Sequence, residues 1–419
     1  MQRQFPRLRD LKGLLSFQPI EWNGTARRLA KAHTIDDLRA IARWRTPAGP
    51  FHYVDGAADE EISLHRVRQY YRDLEFQPGV LRDVSVTDPG TELFGQALRL
   101  PFGFAPTGFT RLLHAEGERA VVRVAQAKGI PYALSTMGTT SITDLAQEAP
   151  QARRWFQLYL WKDRERSLRF IEQARQGGYD ALVVTVDVPT AGNRLRDLRH
   201  GMTMPPRLSL KTLLDASHRP NWWFNFLTTE PPRFAFASAN DNEGAAELVA
   251  KLYDTSATVE DLRWMREAWN GPLVVKGVQT LADAQRVADF GADGIVLSNH
   301  GGRQLDRAPI PLRLLPEVVD AVGSQTAVMI DSGINHGADI VAALALGARF
   351  TWVGRAYLYG LMAGGEAGVR RTADILESQI VRTLRLLGVQ RIDQLHRDHV
   401  RLVEELSSRQ RKPDVELAR

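Results

Sequence analysis

The sequence predicts an α/β chain folded as a closed (β/α)8 barrel (a TIM barrel), with an N-terminal helical extension and a long insertion after the fourth strand. Three observations predict it. Eight short apolar runs recur from residue 101 onward, at Pro101–Pro106, Pro131–Ser135, Trp155–Tyr159, Ala181–Asp187, Pro272–Lys276, Gly294–Ser298, Ala327–Asp331 and Phe350–Gly354. Such runs, rich in β-branched residues and lacking polar alternation, belong to strands covered on both faces, as in a parallel sheet. Helical patterns lie between them, and eight strand–helix units close into a barrel.

In order along the chain, residues 1–100 form the extension. Thr34-Ile-Asp-Asp37 opens a helix, because Thr34 can cap and Asp37 stands near the positive end of the dipole. That helix runs to about Arg45, and a second covers Glu60–Tyr71. The barrel occupies 101–405. Gly291-Ala292 and Gly347-Ala348 stand just before the sixth and eighth strands, where a helix ends and a left-handed residue is wanted. A helix at 367–388 and a shorter one near 400–407 finish the barrel, and 406–419 is a polar tail.

The rhythm breaks once. Residues 190–258 separate the fourth run from the fifth, an insertion on the face where barrels carry their chemistry. Within 205–240, Pro205-Pro206 and Pro231-Pro232 flank Trp222, Trp223, Phe224, Phe226 and Leu227, with Arg207, Lys211 and Arg219 upstream. Aromatic rings beside cations suit a bilayer interface, so this segment is a candidate peripheral membrane contact. Packing on the barrel or on another subunit is the alternative.

Composition removes whole classes. Hydrophobic residues at 44% and charged residues at 25% are ordinary for a globular enzyme. With Cys 0, no disulfide, thiol nucleophile, iron–sulfur cluster or Cys-bound zinc is available, and no metal site is expected. The net charge of +5 is spread along the chain without a basic stripe, so no nucleic acid is expected as partner. No apolar stretch reaches the length of a membrane-spanning helix, and the basic N-terminal stretch shows no apolar core of signal-peptide length. The expected location is the cytoplasm, with peripheral contact on the inner face of the cell membrane as an option.

The strand ends point to the chemistry. They carry Pro106-Thr107-Gly108, Ser135, Gln157 and Tyr159, Thr185 and Asp187, Lys276, Ser298-Asn299-His300, Asp331-Ser332-Gly333, and Gly354-Arg355. Glycines and an Arg after strands seven and eight are where many barrels bind phosphate. No G-x-G-x-x-G follows a strand and no Walker A sequence is present, so a dinucleotide fold and P-loop chemistry are unsupported. The densest run is Ser298-Asn-His-Gly-Gly-Arg-Gln-Leu-Asp306. In it His300 can exchange a proton near neutral pH, and Arg303 presents a fork that matches a carboxylate.

This run resembles the signature of the FMN-dependent α-hydroxy acid dehydrogenase/oxidase family. The resemblance covers about residues 30–405. It includes Phe51-His-Tyr-Val-Asp-Gly56, Ala105-Pro-Thr-Gly108, Trp155-Phe-Gln-Leu-Tyr159, Thr185-Val-Asp-Val-Pro189, Val275-Lys-Gly277 and Asp331-Ser-Gly333. The extension and insertion are most similar to bacterial, actinobacterial-type L-lactate dehydrogenases. The resemblance implies FMN as cofactor, with its phosphate at Gly333, Gly354 and Arg355 and with Ser298, Asp331, Ser332 and Asn335 as further cofactor-binding residues. Its ring would rest on the first strand's end at Ala105, Pro106, Thr107 and Gly108 and receive Ser135, Gln157 and Thr185, with Lys276 beside it to stabilise the reduced form. It implies a 2-hydroxy acid whose carboxylate meets Arg303 and Arg194, with Arg196 the neighbouring alternative. Tyr53 adds a hydroxyl, with His52 the alternative one residue away, and Tyr159 steadies the substrate oxygen. His300 is the implied base, paired with Asp187, and hydride and carbanion routes both stay open. The family further implies a homotetramer and electron delivery to a quinone or other membrane acceptor. A peroxide-forming oxidase, a mandelate or amine-acting relative, and a non-redox FMN or phosphate-binding barrel are the competing readings.

Overall fold

The computed structural model describes residues 21–202, 215, 217–236 and 254–402. Eight parallel strands close a barrel: Phe102–Phe104, Tyr132–Ser135, Arg154–Tyr159, Ala181–Thr185, Leu273–Val278, Gly294–Leu297, Ala327–Ile330 and Phe350–Val353. Each of the eight apolar runs in the sequence therefore holds one barrel strand. Pairing runs in chain order, and the eighth strand closes onto the first through Thr351–Phe102, Trp352–Gly103 and Val353–Phe104. Ala105, Ala133, Trp155, Val183, Val274, Val296, Met329 and Trp352 fill the interior, while a larger apolar shell joins strands to helices. Filling both sides explains why the strands read as unbroken apolar runs.

The helix expected from Thr34 forms at Ile35–Arg45. Thr34 Oγ1 accepts from the Asp37 N–H, and the Asp37 carboxylate accepts from the Thr34 N–H. The second expected helix spans Ile62–Arg72. The extension also contains helices Gly24–Ala30 and Ala48–Asp55, and it is not wholly helical. Thr91–Leu93 and Gln96–Leu98 form a hairpin turning through Phe94 and Gly95, both at positive φ. The Phe94 ring lies 5.7 Å from that of Trp155, so the hairpin plugs the barrel at the end opposite the strand C-termini.

Two expectations near the C-terminus need correction. The helix expected at 367–388 belongs to a longer one, Arg355–Leu387, broken by non-helical backbone at Gly364 and Gly365. Instead of a helix near 400–407, Val400–Leu402 is a strand, paired antiparallel with Leu74–Phe76 of the extension, and the residues after 402 lie outside the described part. A strand of three residues is too short to show periodicity, and its partner lies far away in sequence.

In the insertion, Pro220–Thr228 is a helix. Its five large apolar residues do not share one surface. Trp222 and Phe226 stack 4.9 Å apart and pack against Phe109, Leu112, Trp161 and Phe234, and Trp222 Nε1 donates to the Leu112 carbonyl. Trp223 is half-buried, whereas Phe224 and Leu227 are 68% and 72% exposed. Arg207 and Lys211 fall outside the described residues.

Glu118 illustrates how the mouth is held. Its carboxylate is fully buried and accepts from the Thr139 N–H at 2.7 Å, Thr139 Oγ1 at 2.6 Å and Thr140 Oγ1 at 3.0 Å. These donors sit in the loop after the second strand, which also carries Met137. Glu118→Ala strands all three without water, and should cost about 2–4 kcal/mol of stability. A lower urea midpoint checks this, and an unchanged midpoint contradicts it.

Candidate active site at the barrel mouth

The C-terminal ends of the strands open onto a cavity of about 810 Å³. Its lining brings together Pro106, Thr107, Gly108, Tyr159, Lys276, His300, Arg303, Asp331, Ser332, Gly333, Asn335, Gly354 and Arg355, together with Tyr53 from the extension and Arg194 from the insertion's first residues. Ser135, Gln157, Thr185 and Ser298 do not line it. They form a buried layer beneath, each 4% exposed or less.

His300 sits in the turn after the sixth strand at positive φ, and its Nδ1 lies 3.1 Å from Asp187 Oδ1. The Asp187 side chain is 1% exposed. Burial would raise its pKa, but the charge and hydrogen bond of His300, with Lys276 beyond, hold it below the usual carboxylate value. With Nδ1–H donated to Asp187, the lone pair of His300 is on Nε2, and the ring lines the cavity. A positioned imidazole backed by a buried carboxylate is a proton acceptor that tolerates the charge it gains.

Two guanidiniums stand beside it. Arg303 Nη1 donates to the carbonyls of Tyr53 and Gly56, and its guanidinium lies 4.9 Å from the Tyr53 ring centroid. Burial first, and then the Arg194 charge, lower its pKa to about 9. Arg194 is bonded to the Arg303 carbonyl and the Gln304 amide, and no carboxylate pairs with it among the described residues. Arg196 is otherwise committed: it pairs with Asp55 at 2.8 Å and also with Glu61. Arg194 is therefore the guanidinium left for a ligand. His52 lies away from the site, stacked 3.8 Å from the His200 ring and absent from the cavity lining that includes Tyr53. Burial lowers its pKa to about 4.

The residues fit a flavin mononucleotide. Gln157 Nε2 is buried without a hydrogen-bond partner although Ser135 Oγ reaches its Oε1 at 3.0 Å, a donor left over for a polar ring. Lys276 Nζ is bonded to Asp331 at 2.8 Å and Ser298 at 3.0 Å. Burial alone would lower its pKa, but Asp331 and Asp187 raise it, so it stays an ammonium. At Gly354 an added Cβ would meet only Ala105, at 3.9 Å, which leaves space above the loop for a phosphate. Among the described residues, no group of three His, Asp or Glu side chains could hold a metal.

Arg68 escaped the sequence reading. It comes from helix Ile62–Arg72, donates to the Gly333 carbonyl, pairs with Asp339 at 2.7 Å and lines the cavity. Gly333 has φ +78°, and a Cβ there would lie 2.2 Å from Val67 on the same helix, so only glycine lets loop and helix meet. The sequence signal was one of three Arg on an amphipathic helix, a pattern that usually marks a solvated face.

The model of the FMN-dependent dehydrogenase family matches residues 42–402. A protein of Mycobacterium tuberculosis, provisionally an L-lactate dehydrogenase, is 54% identical over 401 residues, 96% of each chain. An L-lactate dehydrogenase of Caulobacter vibrioides is 40% identical, covering 84% of this chain and 93% of its own. Among solved structures, a monotopic membrane protein, (S)-mandelate dehydrogenase, superposes with TM-score 0.86 at 37% identity, over 89% of this chain and 100% of its own. A mandelate oxidase variant crystallised with (S)-mandelic acid gives TM-score 0.75 at 34% identity, over 89% and 99%. The chain belongs to the FMN-dependent dehydrogenase family, and FMN is its cofactor.

Arg68→Met should weaken FMN binding to the apoprotein roughly ten-fold or more, the scale of one charge-assisted hydrogen bond. Riboflavin, which lacks the phosphate, should bind as before. Flavin fluorescence titration measures both, and equal losses would remove Arg68 from the phosphate site.

Proposed function

We propose that this dehydrogenase oxidises an L-2-hydroxy acid, L-lactate to pyruvate first, and passes the electrons to a quinone or another membrane acceptor. The observation that carries the reading is the His300–Asp187 pair beside one cavity lined by two guanidiniums that have no carboxylate partner among the described residues, Arg194 and Arg303. A base alone suits many reactions. A base beside a cationic fork suits a small hydroxy acid, because the fork fixes the carboxylate and so presents the neighbouring carbon. The L-lactate dehydrogenases among the relatives support the same substrate.

Arg303 and Arg194 bind the carboxylate, Tyr53 adds a hydroxyl donor, and Tyr159 holds the substrate oxygen. His300 Nε2 accepts the proton that leaves the substrate, whether from the hydroxyl or from the α-carbon. Asp187 then faces an imidazolium, and its buried charge favours that form over neutral His300. When bound, FMN supplies the acceptor for the two electrons. Gly333, Ser332, Asn335, Gly354 and Arg355 hold its phosphate, and Pro106–Gly108 with Ser135, Gln157, Thr185, Ser298 and Asp331 shape the ring's seat. Lys276 keeps a positive charge at the mouth, where negative charge accumulates.

Phe224 and Leu227 form the outward face of helix Pro220–Thr228 and are the membrane contact in this reading. It gains support from the monotopic membrane character of the mandelate dehydrogenase neighbour. Among the described residues, no helix is long and apolar enough to cross a membrane. The assembly is a homotetramer, in keeping with the family resemblance.

Anaerobic mixing of the holoenzyme with L-lactate should bleach the visible flavin band. Faster bleaching by (S)-mandelate would move the substrate assignment to the neighbour's. His300→Gln should retain FMN and lose turnover by roughly 10²–10⁴-fold, and near-normal rates would remove His300 as base. Replacing Phe224 and Leu227 together by Ser should abolish binding to anionic liposomes while anaerobic reduction by substrate persists. Unchanged liposome binding would reduce that helix to a packing element.

A further inference from the structure

The segment that carries Arg194 leaves the fourth strand and runs into the insertion, so it lacks the strand pairing that fixes the other site residues. Something else must hold it, and the contacts show what. The Gln304 side chain uses both ends of its amide across this segment. Its Oε1 accepts from the Gly192 N–H at 3.3 Å and from Arg194 Nη2 at 3.2 Å. Its Nε2 donates to the Thr190 carbonyl at 2.8 Å and the Asp187 carbonyl at 3.4 Å. A side-chain amide has this capacity and no more.

A steric observation independently brings the two segments together. A Cβ added to Gly192 would lie 2.1 Å from the Arg303 carbonyl oxygen and 2.9 Å from Gln304 Cα. The backbone at 192 is thus pressed against the backbone at 303–304, an approach open only to glycine. Arg194 Nε also points at the Arg303 carbonyl, at 3.4 Å.

We propose that Gln304 is a positioning residue that holds Arg194 beside Arg303 and so sets the enzyme's preference for a carboxylate substrate. The proposal rests on the reading of Arg194 and Arg303 as carboxylate ligands. Two guanidiniums in one half-buried site repel each other, and Arg194 is the one whose side chain Gln304 holds. An apolar residue at 304 would let it swing away. A carboxylate at 304 would hold it but cancel its charge and compete with the substrate. A neutral amide accepts the hydrogen bond and leaves the charge for the ligand. By binding the Asp187 carbonyl, the same side chain also keeps the base pair and the carboxylate fork in one frame.

The test compares holoenzyme reduction by L-lactate and by its uncharged amide, lactamide, in anaerobic stopped flow. Gln304→Leu and Gln304→Glu should each raise the KM for lactate roughly ten-fold or more, with the limiting reduction rate within a few-fold and FMN content unchanged. The preference for lactate over lactamide should fall by a similar factor. A loss of fold quality would affect both substrates alike, so an unchanged ratio in either variant overturns the proposal. Should Gln304→Leu not retain FMN, the near-isosteric Gln304→Glu decides by the same ratio. Arg194→Met separates the premise from the inference. If it too leaves the ratio unchanged, the carboxylate reading fails and takes the proposal with it. If it lowers the ratio and the Gln304 variants do not, only the positioning role is lost.

Discussion

A lysine taken out of water organises the mouth of this barrel. Lys276 stands on the fifth strand with its side chain 6% exposed, and an unpaired ammonium there would be costly. Asp331, at the end of the seventh strand, answers it at 2.8 Å, and Ser298, at the end of the sixth, accepts a further hydrogen bond. The compensation spreads from there. Asp331 accepts from Ser332, whose hydroxyl in turn accepts from the backbone N–H groups of Asn299 and Gly301. Ser298 accepts from the His300 N–H. A single buried charge thus ties three strand ends together and fixes the turn that aims His300. Removing either member would leave the other unpaired, which is more disruptive than never having had the pair. The charge is also what an electron-accepting site at this position requires, so structural and chemical demands coincide in one side chain.

The barrel was legible because its signal is local and repeated. Each strand is a short apolar run, and eight of them with helical spacing leave few alternatives. The Thr34–Asp37 box was legible for the same reason, since cap and partner lie three residues apart. The hairpin Thr91–Leu98 and the pair Leu74–Phe76 with Val400–Leu402 were not, because three-residue strands carry no period and take their conformation from distant partners. Helix Ala48–Asp55 was hidden differently. It holds Gly49 and Pro50 and starts after Pro47, a composition that reads as a loop, and it forms because its buried residues Phe51 and Val54 pack on the core.

Among site residues the same division holds. His300, Arg303 and Lys276 were readable because they belong to a dense motif or to a strand end. The choice between Arg194 and Arg196 was not, since it depends on Asp55 and Glu61, more than a hundred residues away, which take Arg196. Arg68 depends likewise on a loop it meets only in the fold. Sequence identifies which residue types can do the chemistry. Whether a given cation is free to do it depends on which carboxylates the fold has placed beside it.

That dependence explains why the extension cannot be a detachable preamble. Helix Ala48–Asp55 ends beside the site, and the last carbonyls of a helix have no partners within it. Here the carbonyls of Tyr53 and Gly56 accept from Arg303, and those of Val54 and Gly56 accept from Arg355. The negative end of the helix thus faces two half-buried arginines and stabilises their charge without a carboxylate. A carboxylate would have offset the charge of each guanidinium. Carbonyls satisfy part of each fork and leave the net charge in place. Meanwhile Asp55, on the same helix, is fully engaged by Arg39, Arg196 and Tyr359, so it does not compete for them. The helix end therefore acts as the Gln304 amide does, holding a cation with neutral acceptors, here Arg303 and Arg355 and there Arg194.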